Sequence, residues 1–164
     1  MTTYSKSVIG NLVDGKLPWS ALKEMMSNYK DADRFEKYVA VLQDRVTWKD
    51  KILLPLGPHL FIVKKDDGSI VTKSSSGYEF GDYRENWKLK ARIYVRNSNE
   101  AYREIYPAMM HADPQWMELR EYCDPIDGTL LEIEVLPPGY PILHSFQPDL
   151  EGFYREWLKR PLDL

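Results

Sequence analysis

The chain has 164 residues and a formal net charge of −3 at pH 7, with 22 basic and 25 acidic side chains interspersed. That length fits one domain with a real core, and a mildly acidic balance argues against a nucleic-acid binder, which is more often basic. The single cysteine, Cys123, excludes an internal disulfide, and the absence of an export leader or a long apolar run leads to the expectation of a soluble cytoplasmic protein without a membrane partner.

In chain order, residues 1–47 read as a helical segment. Ser5 or Ser7 caps a first helix with Val8, Ile9, Leu12 and Val13 on one stripe, stopped by Asp14-Gly15. Pro18 sits at the first turn of a second helix over 19–28. Asp31 caps a third, in which Phe35, Tyr38, Val39 and Leu42 recur at helical spacing. Short helices of this kind are marginal alone and must dock on a sheet or a partner.

Residues 48–136 read as a β core with inserted helices. A connector over 48–58 is followed by a hairpin, Leu60-Phe61-Ile62-Val63 and Ile70-Val71-Thr72, around the turn signal Asp67-Gly68. Residues 87–96 alternate, which predicts a half-buried strand with Leu89, Ala91, Ile93 and Val95 inward and a basic outer face, Lys88, Lys90, Arg92 and Arg96. Asn97 with Glu100 has the outline of a capping box for a short helix ended by Pro107. Asp113-Pro114 starts a turn or short helix through Trp116. Residues 119–123 and 129–136 read as strands, the second with Leu131, Ile133 and Val135 on one face and Glu132 and Glu134 on the other. Residues 137–164 are a proline-rich arm ending in a helix with Phe153, Tyr154 and Trp157.

Two Gly-closed turns stand out, Ser74-Ser75-Ser76-Gly77 and Asp124-Pro125-Ile126-Asp127-Gly128. Their spacings are those of zinc knuckles, C-x-C-G and C-x-x-C-G, with Ser74, Ser76, Asp124 and Asp127 where four cysteines would close a tetrahedral site. Either a metal has been lost and the turns kept, or the likeness is accidental. Neutral hydroxyls are poor zinc ligands and two Asp with two Ser are too few oxygens for a hard cation, so no metal is expected. Ser and Asp side chains bond readily to nearby backbone amides, and Asp124 and Asp127 are expected to hold the turns in that way.

Six stretches stand in one order along most of the chain: Ile52-Leu53-Leu54-Pro55-Leu56-Gly57-Pro58, Gly81-Asp82-Tyr83-Arg84-Glu85-Asn86-Trp87-Lys88-Leu89, Glu104-Ile105-Tyr106-Pro107, Arg120-Glu121-Tyr122, Gly128-Thr129-Leu130-Leu131 and Phe153-Tyr154-Arg155-Glu156-Trp157-Leu158. Through these the chain, from Leu53 onward, resembles the small gamma subunit of the bacterial acetone carboxylases and the corresponding small subunit of acetophenone carboxylase. The resemblance implies paired turns that usually carry zinc-binding cysteines. This chain departs at all four positions, which points to a divergent branch and to the acetophenone type.

The fold expected is α+β: a small antiparallel sheet around a degenerate zinc-ribbon-like core, with N-terminal helices and an extended C-terminal arm. The resemblance implies a structural subunit of an ATP-dependent ketone carboxylase, with ATP and a divalent metal held by large hydantoinase-like partner subunits in a hetero-oligomer. No catalytic or cofactor-binding residue is assigned to this chain. It has no phosphate loop, dinucleotide fingerprint, nucleophile elbow or H-E-x-x-H. Trp87, Trp116, Tyr140, Phe153, Tyr154 and Trp157 are the expected interface anchors. Two other classes stay open: a free-standing small enzyme using carboxylates such as Asp82 or Asp124, and a ribbon-like module binding nucleic acid or protein.

Overall fold

A computed structural model describes residues 3–162 of the chain. Helix α1 (Lys6–Val13) begins where Ser5 leaves extended backbone and its Oγ accepts from the Val8 amide at 3.3 Å, satisfying one of the orphan donors of the first turn. Ser7 only shares a hydrogen bond with the Ser5 hydroxyl. Helix α2 (Trp19–Ser27) follows Pro18, whose fixed φ suits a helix entrance. Helix α3 (Arg34–Gln43) opens after Asp33. Asp31, the expected cap, is instead buried and accepts from the Tyr4 amide, Arg34 Nε and Lys37 Nζ, so its carboxylate ties the N-terminus to the helix entrance.

A first sheet is an antiparallel meander of β1 (Lys51–Gly57), β2 (Leu60–Lys64), β3 (Ile70–Ser74) and β4 (Glu79–Asp82) in that order. Residues 51–57 are therefore a strand rather than a connector. Pro55 is tolerated because β1 lies at the sheet edge, with irregular register on either side of it. Strand β2 is buried on both faces. Phe61 and Val63 meet Ile52, Val71 and Leu42 of α3, while Ile62 meets Leu53, Leu150 and Tyr154. Helices thus cover both sides of the sheet, and this is where most of the apolar burial lies.

The second sheet, β5 (Arg92–Arg96), β6 (Glu118–Cys123) and β7 (Leu130–Leu136), is also antiparallel. The fold has two sheets rather than one. Between β5 and β6 lies α4 (Asn99–Arg103), capped by Ser98, whose Oγ accepts from the Ala101 amide at 3.2 Å; the expected cap, Asn97, is one residue too early. Residues Trp87–Lys90 wind as a 3-10 turn, so the expected strand over 87–96 starts only at Arg92.

The expected facing of the second sheet is inverted in part: Lys90 and Arg92 are exposed and Leu131 packs inward as expected, whereas Lys88, Arg96, Ile133 and Val135 change sides. Lys88 is only 1% exposed and donates from Nζ to Glu132, Glu134 and Ser145 at 2.6, 2.6 and 3.0 Å. Glu134 also accepts from the Tyr122 hydroxyl, and Arg120 pairs with Glu118 on the same face. Ile133 and Val135 point to solvent instead. Buried charges persist only when paired, and each charge named here has an ion-pair partner, while Arg120 Nη1 is left without an acceptor among the described residues.

Trp87 joins the two sheets. It packs edge-on against Phe80 (5.6 Å) and Tyr122 (6.0 Å) in a cluster that includes Leu60. After an extended arm, Asp149 caps α5 (Leu150–Gly152), which continues as a π-helical turn over Phe153–Trp157. This terminal helix docks on its own first sheet, and the Tyr154 hydroxyl donates to the Leu53 carbonyl at 2.9 Å. No described helix is long and apolar enough to cross a membrane.

Candidate functional site

The two Gly-closed turns meet. Each is pinned by its own backbone: the Gly77 amide donates to the Ser74 carbonyl, and the Gly128 amide to the Asp124 carbonyl. Gly77 and Gly128 take φ of 101° and 77°, the left-handed region that side-chain-bearing residues rarely adopt. A Cβ on Gly77 would also come within 3.3 Å of the Trp48 ring, whose Nε1 donates to the carbonyls of Ser74 and Ser75.

Across the gap, Ser76 Oγ donates to Asp124 Oδ2 at 2.7 Å, and the hydroxyls of Ser74 and Ser76 lie 3.0 Å apart. Ser74 Oγ accepts from the Tyr78 amide. Asp124 Oδ1 accepts from the Ile126 amide at 2.7 Å, and Asp127 Oδ1 from the Thr129 amide at 2.9 Å. The Thr129 bonds, backbone first, hold the Asp127 carboxyl below its usual range. Ser74 and Asp124 are fully buried. Three of the four positions therefore form one hydrogen-bonded chain, and Asp127 turns to its own loop. The basic neighbours are engaged elsewhere: Lys73 with Asp50 and Glu79, Arg84 with Asp82.

The zinc implied by the resemblance does not fit these residues. Two of the four donors are neutral hydroxyls, and both oxygens of Asp124 are already accepting hydrogen bonds. Among the described residues, no three His, Cys, Asp or Glu side chains converge as a metal site.

Beside the turns lies a cavity of about 470 Å³ lined by Arg45, His59, Ser75, Ser76, Asp127 and Thr129 among others. His59 Nδ1 and Ser75 Oγ are 3.3 Å apart. Arg45 is held by Asp14 and the Gly10 carbonyl. Asp82, a candidate acid–base group, is pulled down to about 2 by the side chain and backbone amide of Arg84. It is an ion-paired carboxylate with no proton to give near neutrality. Burial pushes the Cys123 thiol up, which leaves it a poor nucleophile.

The expected interface anchors separate into two groups. Trp87 and Tyr154 are buried within the chain and cannot anchor a partner, because the two sheets and the terminal helix already enclose them. Phe153 is half-buried against the Phe35 ring at 5.1 Å. Trp116, Tyr140 and Trp157 remain exposed, Trp157 at 79%.

Two features escaped the sequence reading. The Lys88 cluster left only a weak trace, acids alternating at 132 and 134. An apolar groove of about 650 Å³ between α1, α3 and the terminal helix left none, because it exists only once distant segments meet.

The family model for the acetone carboxylase gamma subunit matches residues 46–158. The chain is also 47% identical to the acetone carboxylase gamma subunit of Xanthobacter autotrophicus, over 97% of this chain and 95% of that protein. The match to the model starts just before β1 and ends after the terminal helix, so it takes in both sheets and both turns.

Proposed function

From the premise that the chain belongs to the acetone carboxylase gamma subunit family, we propose that it is a non-catalytic structural subunit of an ATP-dependent ketone carboxylase. In this reading the complex joins a ketone and bicarbonate into a β-keto acid. Large hydantoinase-like subunits hold ATP and a divalent metal, and this chain bridges and stabilises them in the cytoplasm. The carrying observation is the near-full-length likeness to a protein named as a gamma subunit, on a chain whose candidate acid–base groups are spent on internal pairs.

The ketone is acetone on the strength of that likeness. A second reading, an aromatic ketone such as acetophenone carboxylated to benzoylacetate, is favoured by the absence of cysteine from all four turn positions. In either case the paired turns act as a degenerate zinc ribbon, in which the Ser76–Asp124 hydrogen bond takes the place of a metal.

The test is to co-purify the chain with the large subunits and to follow ATP- and bicarbonate-dependent consumption of acetone and acetophenone in parallel. Turnover that requires this chain, with acetone preferred, is expected. Preference for acetophenone would select the second reading. Full turnover by the large subunits alone, or turnover by this chain alone, would refute the structural role.

A further inference from the structure

The groove between α1, α3 and the terminal helix has apolar walls from Ile9, Leu12, Phe35, Phe153 and Leu158, with Trp157 also lining it. Its polar end carries Lys30 and Arg34 beside Asp31, whose carboxylate is already shared between Arg34 and Lys37, which leaves that end net positive. Arg34 commits Nε to Asp31, but its buried Nη2 finds no acceptor among the described residues. Lys30 lies exposed on the same rim. A buried guanidinium donor without an acceptor is costly, and a carboxylate is the group that satisfies it with a charge-assisted bond.

Trp157 carries the second half of the argument. One turn earlier in the helix, Tyr154 is packed into the core, whereas the Trp157 indole is left almost wholly in water. Trp and Arg at an apolar recess are among the side chains that most often dominate a protein interface. Charge complementarity selects an acidic occupant, and the apolar walls require that its acid be flanked by aliphatic or aromatic side chains.

We propose that this groove docks an apolar segment of a large carboxylase subunit that presents an Asp or Glu to Arg34 and Lys30. The proposal rests on the reading of the chain as a carboxylase subunit. It adds which face is used and what chemistry the partner must offer.

The test uses the full chain with the large subunits. Trp157→Ala and Lys30→Glu alter exposed side chains, so the fold of the chain is kept, as thermal melting of each variant checks. Ala32→Glu puts a competing carboxylate on the groove wall. Each variant is expected to weaken association with the large subunits at least tenfold at unchanged melting temperature, with Lys30→Arg restoring it. A photo-crosslinking residue in place of Trp157 is expected to capture a large-subunit peptide containing Asp or Glu.

Wild-type affinity in all three variants, or a cross-link to a second copy of this chain, would overturn the groove while leaving the subunit role intact. A wild-type chain that forms no complex with the large subunits would refute the subunit role, and the groove with it.

Discussion

Ser76 and Asp124 are 48 positions apart in sequence and 2.7 Å apart in space. The spacing of the two turns was legible because Gly marks the backbone conformation each turn needs. The bond between them was not, because it depends on how two sheets are brought together. Ser76→Ala leaves the buried Asp124 carboxylate one donor short and is expected to cost about 1–3 kcal/mol, read as a lower urea midpoint at unchanged slope. Asp31 gives a pH signature. Burial works against its ionisation, but hydrogen bonds from Arg34 and Lys37 overcome this and hold its carboxyl well below the usual range. A carboxyl with a depressed folded pKa stabilises the fold fully above the unfolded value of about 4 and loses that contribution as pH falls further. Asp31→Asn is therefore expected to lower stability at pH 7, with the gap to the wild type shrinking as acid is added below about pH 4. Urea titrations at a series of pH values check this, and a constant gap would count against it.

At the level of elements, α1, its Ser5 cap and the β2–β3 hairpin were readable because local rules decide them. Strand β7 was misread, and the reason is physical. Alternation says that a strand has two faces, and apolarity then assigns Ile133 and Val135 inward. Here the inner face is set by Lys88, which reaches Glu132 and Glu134 from a 3-10 turn, and by Ser145 in the arm. A single lysine thus holds β7 and the arm together. Lys88→Met leaves two carboxylates without their cation and is expected to cost about 3–5 kcal/mol, whereas Lys88→Met combined with Glu132→Gln and Glu134→Gln recovers part of the loss. Denaturant unfolding of the single and triple variants measures both. A triple variant less stable than the single would contradict this account. The terminal helix was found where expected, but the facing of Tyr154 was misread for a related reason. Its aromatic spacing was visible, but which rings face inward depends on the bare face of β1 and β2.

The described residues expose many large apolar side chains. Trp19, Tyr29, Met109, Met110, Trp116, Phe146 and Trp157 are all more than half exposed. Met109 is 96% exposed and sits at a φ of 65°, an unfavourable conformation for a residue with a side chain. Scattered apolar residues at a surface are ordinary, but contiguous exposed apolar patches mark interaction sites. On the proposed reading as a carboxylase subunit, the isolated chain is expected to self-associate as its concentration rises and to become monodisperse with its partner subunits, as light scattering after gel filtration measures. A strictly monomeric isolated chain would count against this.

The hydrogen bond from Tyr154 to the Leu53 carbonyl spans 101 positions. On the ribosome, β1 and β2 are made long before the helix that covers their second face. The nascent chain therefore carries an uncovered apolar sheet through most of its synthesis, and such surfaces are where partly made proteins aggregate. Until residues 150–154 reach that sheet its Leu53 and Ile62 face stays open, and slow translation over the proline-rich arm is expected to lengthen that exposure.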